Sequence, residues 1–264
     1  MIEKTNFIGL SISIFDRKQL IKYIEDTVND DKQKVLYGHA LWTIPMMNKF
    51  PDIYNYGELA DLFVTDGRPF YLLAKWHGLL LKYDISIPNL VSLSLELANK
   101  YRWSIFLLGA TGQNNNHAIR NVRNNYPNIK FVKGRNGYFS DHENDNIISQ
   151  INSYKPNILL IGIASPKKER ISAEWRDYLK SNIIIPCGGM IDVLAGKTKV
   201  TPIWIKKLGL ASFYRVVQEP RRLFKRYNYI YSYLFFKFFP LYFYEVIIKN
   251  NKNFSIAKYL KITE

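Results

Sequence analysis

A single aspartate and a set of glycines are the residues whose types and spacing could do chemistry in this chain of 264 residues. Asp66 follows the strand-like run Asp61 to Thr65 and precedes Gly67. That places a carboxylate at a strand tip, where parallel sheets present their sites and where it can take a proton from a hydroxyl. A turn-forming Asp-Gly pair is the competing reading of the same two residues. Gly162 lies near the exit of the apolar run Asn157 to Ile163, and Gly188-Gly189 follow Ile183 to Ile185. Small residues at strand exits leave backbone N–H groups open, which suits a phosphate-bearing ligand. Gly109 ends Ser104 to Leu108 in a GATG turn that is not a GxGxxG fingerprint. Ser165 is expected to cap the helix after Ile163, with Pro166 at its first position.

The elements that must hold these residues alternate. Phe7 to Phe15 reads as a strand pair or bent edge strand with Gly9 as a bulge, and Asp16 as the cap of a helix to about Asn29. Strands are expected at 35–37, 61–65, 104–108, 129–132, 157–163 and 183–185. Helices are expected over 41–49, 88–101, 115–126 and, capped by Asp141, to Tyr154; another opens at Pro69 and closes at Gly78. Strand and helix in turn up to Gly196 predict an α/β fold, a mostly parallel Rossmann-like sheet with helices on both faces. The division expected is 1–196 for this domain and 197–264 for an appendage.

Composition narrows the function classes. Hydrophobic residues make up 47% of the chain, enough for a packed core. The lone Cys187 ends an apolar strand and reads as a small buried residue in a reducing compartment. His39, His77, His117 and His142 are scattered without paired spacing, so no metal site is expected. Residues 1–6 have no apolar signal core, which points to a cytoplasmic location.

The net charge of +15 is concentrated late: from Lys197 onward there are 14 Lys and Arg against 3 Glu, a net of +11. Short helices are expected at 202–208 and 213–218, then a basic helix from Glu219. Tyr227 to Tyr244 is crowded with Tyr and Phe, with Lys237 as its one charge and Pro240 as a breaker. So many hydroxyls, a lysine and a proline argue against a spanning helix. Rings beside basic residues suit shallow attachment to an anionic membrane surface. The soluble alternatives are a helical core or a contact between copies of the chain. Basic aromatic segments also stack on nucleic-acid bases, but membrane aromatics account for the same composition and no nucleic-acid partner is expected.

The order of motifs resembles the WecG/TagA/CpsF glycosyltransferases. The matching pieces are DLFVTDGRPFYLLAKWHG from Asp61, IFLLGA from Ile105, NGYF from Asn136, NILLIGIASPKKE from Asn157, CGGMIDVLAGKTKVTPIWIKKLGL from Cys187 and YRVVQEPRRLFKRY from Tyr214. The resemblance implies an inverting, metal-independent transfer, without cofactor, from a UDP-sugar to a polyprenyl-diphosphate-linked sugar in envelope or exopolysaccharide assembly. It also implies a membrane-associated C-terminal appendage, hence peripheral attachment to the inner face of the plasma membrane.

By the same resemblance Asp66 is the general base. The nucleotide-sugar pocket maps to Gly109, Tyr138, Gly162, Pro166, Lys168 and Gly188-Gly189, with Asp192 toward the ribose hydroxyls. Arg215, Arg221 and Arg222 fall on basic appendage positions suited to diphosphate oxygens. The chain departs from the family pattern at His39, where asparagine is usual, near Asp84, where the family usually has an arginine, and at Lys168, where glutamine is usual. Val200-Thr201-Pro202 replaces RAP, and Gly209-Leu210-Ala211-Ser212 replaces GLEW. These changes imply an altered sugar or acceptor preference, with His39 a candidate to position or deprotonate the acceptor. The alternative is a catalytically degenerate member that binds the lipid carrier or a partner.

Overall fold

The computed structural model describes residues 2–251 and 253–260; the side chain of Arg222 is outside that description. The chain opens with an antiparallel hairpin, β1 (Glu3–Phe7) and β2 (Leu10–Ile14). Its two-residue turn is Ile8-Gly9, both at positive φ, so Gly9 closes a tight turn rather than forming a bulge. Then come α1 (Arg17–Asn29), β3 (Lys34–His39), α2 (Thr43–Lys49), α3 (Asp52–Glu58), β4 (Leu62–Thr65), α4 (Arg68–Trp76) and α5 (Ile87–Tyr101). The expected Asp16 cap is present: its side chain accepts from Gln19 N–H, and Gln19 answers in a capping box.

The second half runs β5 (Ser104–Gly109), α6 (Gly112–Asn125), β6 (Phe131–Arg135), α7 (Asn144–Tyr154), β7 (Ile158–Gly162), α8 (Lys167–Glu174), β8 (Ile183–Pro186) and α9 (Met190–Leu194). Asp141 does not cap α7: Glu143 holds that position, and Ser140 caps the short turn before it. Ser140 pairs with Glu143 in a capping box, and Asp141 begins a short 3₁₀ turn. The six central strands are all parallel in the order β4-β3-β8-β7-β5-β6. Alternate strand residues feed opposite faces. Leu36, Leu107, Leu160 and Ile185 pack with α1, α5, α6 and α9, whereas Tyr37, Phe106, Ile161 and Ile184 pack toward α7 and α8. All strand tips therefore point to one edge, and the sheet order folds back there.

Residues after Gly196 form α10 (Ile203–Lys207), α11 (Ala211–Gln218) and α12 (Pro220–Tyr233). Helical backbone continues through Leu234–Phe238, Phe239–Tyr242 and Phe243–Ile248, alternating π- and α-helical. Pro240 does not break it: the proline lies just after π-helical Leu234–Phe238 gives way to Phe239–Tyr242, and the backbone stays helical through it. The ring-rich segment divides between two surroundings. Ile230, Leu234, Phe238 and Tyr242 are buried in a third core with Phe7, Leu10, Ile44, Met47 and Phe70. Phe235, Phe236, Phe243, Tyr244, Ile247 and Ile248 are exposed. The returning turn is pinned to the hairpin, because Ile256 N–H donates to Ile8 O at 2.7 Å. Among the described residues no helix is long and apolar enough to cross a membrane.

Candidate active site

A cavity of about 320 Å³ opens where the tips of β3, β4, β7 and β8 meet α11 and α12. Asp66 enters it from the end of β4. Its N–H donates to His39 O at 2.6 Å, and its Oδ1 accepts from Ile87 N–H at 2.9 Å at the start of α5. Gly38 makes this fit possible: a Cβ there would lie 2.6 Å from Ile87 Cγ1 and 3.1 Å from Asp66 Cβ. Burial pushes the Asp66 carboxyl above its ordinary range, opposed by the Ile87 N–H and by the positive charges of Lys168 and Arg215.

His39 does not reach the cavity. Its side chain is 0% exposed, stacked on Phe63 at 5.6 Å, with Nε2 at 3.1 Å from Glu58 Oε1. Burial raises the Glu58 carboxyl, but His39 and the Ser11 N–H outweigh it and hold the group below its ordinary value. The expected role for His39 in positioning or deprotonating an acceptor is corrected accordingly. Its carbonyl fixes Asp66, and its ring belongs to the packing beneath. Asp84, the second departure, pairs with Arg68 at 2.8 Å and is not on the cavity wall.

The β7 exit contributes Gly162, Ile163, Ala164 and Ser165. Ser165 does not cap the helix backbone; its Oγ donates to Glu169 Oε1 at 2.8 Å. Pro166 occupies the cap position of α8 rather than its first turn and does not line the cavity. Lys168 does line it. Its ammonium lies 2.5 Å from Glu169 Oε1, which also accepts from Tyr37 OH at 3.2 Å. Glu169 is itself fully buried, so this ion pair and its two hydroxyl donors form a compact polar cluster under the wall. Burial and the Glu169 charge push the Tyr37 hydroxyl well above its usual value, which keeps it a donor.

Gly109 is behind the wall. A Cβ there would strike Gly162 O, so this glycine lets the exits of β5 and β7 close together. Ala110 and Gly137 supply the surface at that point, and Tyr138, 77% exposed, stands at the rim. Asn115 ties the same corner by donating to Leu107 O, Gly109 O and Arg135 O, each at 2.9 Å.

The β8 exit gives Pro186, Cys187, Gly188 and Gly189. Burial pushes the Cys187 thiol up to about 12, so it is not a nucleophile at neutral pH. Gly188 adopts φ +57, a conformation that favours glycine. Gly189 has another purpose: the Arg215 guanidinium occupies the space where its Cβ would be. Asp192 faces the cavity and accepts from Asn114 Nδ2 at 2.7 Å.

The opposite wall is helical. Arg215 comes from α11, and Leu223, Arg226 and Tyr227 from α12. Arg226 lies over the Trp42 ring at 5.3 Å, joining α12 to the loop before α2. Of the other expected arginines, Arg221 is exposed and off the cavity, and the Arg222 side chain lies outside the described residues. Sequence reading passed over Trp42, Arg226 and Tyr227. The i, i+3, i+4 spacing of Leu223, Arg226 and Tyr227 was the available signal, since it puts them on one helical face. Among the described residues the wall thus carries Lys168, Arg215 and Arg226 against Asp66 and Asp192, a cationic lining with one carboxylate at a strand tip. Such a lining can hold a diphosphate and leave a base beside it.

A Staphylococcus aureus (strain MRSA252) protein named N-acetylglucosaminyldiphosphoundecaprenol N-acetyl-beta-D-mannosaminyltransferase is 27% identical over 183 residues, 66% of this chain and 71% of that protein. The proteins of the same name from strains MW2 and NCTC 8325 / PS 47 match to the same extent. Residues 5–247 match the family described as Glycosyl transferase WecG/TagA/CpsF, and this match takes in most of the hairpin, the whole parallel sheet and both cavity walls. On that evidence the chain belongs to the WecG/TagA/CpsF family and is a glycosyltransferase.

Proposed function

We propose that the protein transfers a hexose or N-acetylhexosamine from a UDP-sugar to a polyprenyl-diphosphate-linked sugar, with inversion and without a metal. The observation that carries the reading is Asp66: a carboxylate at the β4 tip that faces a cavity also lined by Gly188, Gly189, Lys168, Arg215 and Arg226. In this reading the acceptor hydroxyl attacks the anomeric carbon as Asp66 takes its proton, and the bond to the nucleoside diphosphate breaks. The leaving diphosphate carries away the bonding electron pair, and fixed guanidinium and ammonium charges stabilise it as it departs. Asp192, held by Asn114, suits the ribose hydroxyls. The names of the Staphylococcus aureus relatives support an undecaprenyl-diphosphate-linked acceptor. The exposed rings between Phe235 and Ile248 support peripheral attachment to the cytoplasmic face of the membrane carrying it.

The test is a panel of UDP-sugars incubated with a polyprenyl-diphosphate-sugar acceptor, with product mass identifying the sugar added. Turnover with at least one pair is expected, and Asp66→Ala is expected to abolish it. Full turnover by Asp66→Ala would remove the proposed base. Nucleotide or lipid binding without transfer across the panel would instead favour a lipid-carrier-binding role.

A further inference from the structure

Helix α4 is apolar on both sides. Its inner face buries Phe70, Tyr71 and Ala74 in the third core. Pro69, Leu72 and Trp76, spaced three and four apart, fall on the opposite face, and all three are exposed. Leu72 is 48% exposed, Trp76 64% and Leu80, in the turn beyond the helix, 81%. The neighbours of Leu80 turn inward, with Leu81 buried and Leu79 packed on the same core. A helix that is hydrophobic all round needs cover on its outer face as well, and the transfer chemistry uses none of these side chains.

At both ends this face adjoins exposed apolar surface from helices after Gly196. At its start Gly209 packs on Pro69, where a Cβ on the glycine would lie 3.0 Å from Pro69 Cγ. Gly209 closes α10, whose Trp204 is exposed. At its end the Trp76 ring centroid lies 6.0 Å from that of Tyr242, and His77 Nδ1 lies 2.9 Å from Tyr242 OH. Tyr242 belongs to the ring-rich helix that exposes Phe235 and Phe236. Charge along this surface has one sign. No Asp or Glu occurs in residues 68–83, 203–207 or 234–244. Lys75, Lys82, Lys206, Lys207 and Lys237 stand in these stretches, and among the described residues none of them makes an ion pair. Arg68 differs, since Asp84 neutralises it at 2.8 Å.

We propose that the outer face of α4 and the turn carrying Leu80 dock on an anionic phospholipid bilayer, so that the sheet half of the molecule meets the membrane together with the helices after Gly196. The assignment rests on the peripheral attachment given under Proposed function and adds an element to it. Tryptophan and leucine side chains among lysines, with no carboxylate between them, match a boundary of headgroup phosphates over acyl chains. The lysine stems lie along that boundary while their ammonium groups reach the phosphates. A second copy of the chain fits this surface poorly, because a symmetric contact sets the same unpaired lysines against each other. Helix α4 begins two residues after Asp66, so a bilayer contact through Leu72 and Trp76 holds the β4 tip close to the membrane.

The test places an environment-sensitive nitrobenzoxadiazole probe on one introduced cysteine at a time, since Cys187 is buried and its thiol is held protonated. Leu80→Cys reports on the proposed face and Phe236→Cys on the ring-rich helix. Asn124→Cys, exposed on α6 beside the β6 edge of the sheet, is the control. Each labelled protein is mixed with phosphatidylcholine vesicles with or without phosphatidylglycerol, some carrying nitroxides on their acyl chains. On the anionic vesicles the Leu80 probe is expected to shift to the blue and to be quenched by the nitroxides, as at Phe236, while the Asn124 probe stays unchanged. In the otherwise unaltered chain, Lys75→Gln with Lys82→Gln is expected to weaken binding to these vesicles about tenfold at low salt. A response at Phe236 with none at Leu80, or unchanged vesicle binding by the two-lysine variant, overturns the proposal and leaves attachment through the helices after Gly196. Silence at both probes overturns the peripheral attachment under Proposed function as well. A Leu80 shift that grows with protein concentration without vesicles assigns the face to a contact between copies and overturns the proposal.

Discussion

The two walls of the candidate active-site cavity are built from different materials. On the sheet side the exits of β7 and β8 supply Gly162, Gly188 and Gly189, and their order is set within a few residues of each strand. On the helical side the surface is long side chains, Arg215, Arg226 and Tyr227, from segments more than a hundred residues beyond the Asp66 turn. The walls interlock at one point, where the Arg215 guanidinium fills the space left by the missing Gly189 side chain. A strand exit can prepare a phosphate cradle and one cation, Lys168, locally, but the two guanidinium groups have to be delivered by the rest of the fold.

The comparison breaks first at Asp66, the proposed base at the tip of β4. Asp66→Asn is expected to lower kcat by about 10²–10⁴-fold while keeping nucleotide binding. It should not lower the melting temperature. Burial raises the native carboxyl above its unfolded value, so the ionised group opposes folding at neutral pH and the neutral amide relieves that. Equal kcat in the two proteins would make Asp66 a turn residue.

Next is the core that holds the helical wall in place. Phe238 is 1% exposed, and Phe238→Ala is expected to cost about 3–5 kcal/mol in chemical denaturation. Phe236, two residues away and 82% exposed, should change stability by about 0.5 kcal/mol or less when replaced by Ser, while weakening sedimentation with anionic vesicles. Equal stability losses would mean that the tail is not divided between core and surface.

The interlock is tested by Gly189→Ala. The added Cβ displaces the flexible end of Arg215 rather than backbone, so stability should hold while kcat falls by about 10², matching Arg215→Ala. The double variant should be no worse than either single one, because both remove the same contact. An additive loss would separate the two walls.

The smallest effect concerns pH. With the Asp66 carboxyl raised by burial, the proposed base is ionised only above that raised value. The acid limb of kcat/KM should therefore fall at a pH above the ordinary carboxylate range, with a slope of one proton. Lys168→Met removes one of the charges opposing the shift and should move the limb further up. A limb within the ordinary range would place Asp66 in better contact with water than its surroundings indicate.

Much of the sheet side was legible because its signals are local. Apolar runs ended by glycine gave β5, β7 and β8, and Asp66-Gly67 fell at the tip of β4 as expected. Errors arose where two residues compete for one local task. Ser140, not Asp141, capped the turn before α7, and Ser165 turned from the helix backbone to Glu169. His39 was misread for a different reason: a polar side chain next to a glycine says nothing about which face of a strand it occupies. Its register against Thr65 sends the ring into the layer with Tyr37 and Phe63.

The sequence by itself determined the alternating α/β order, the glycine exits, the acidic strand tip and the excess of cations near the end, because each depends on neighbours within a turn or a strand. Only the tertiary structure decided that Arg215 and Arg226 enter the cavity, that Lys168 is held against a fully buried Glu169, and that Phe238 is core while Phe236 is surface. Those outcomes depend on which faces of distant segments meet, and that is settled by burying the largest apolar area with its polar groups paired, a condition on the whole chain.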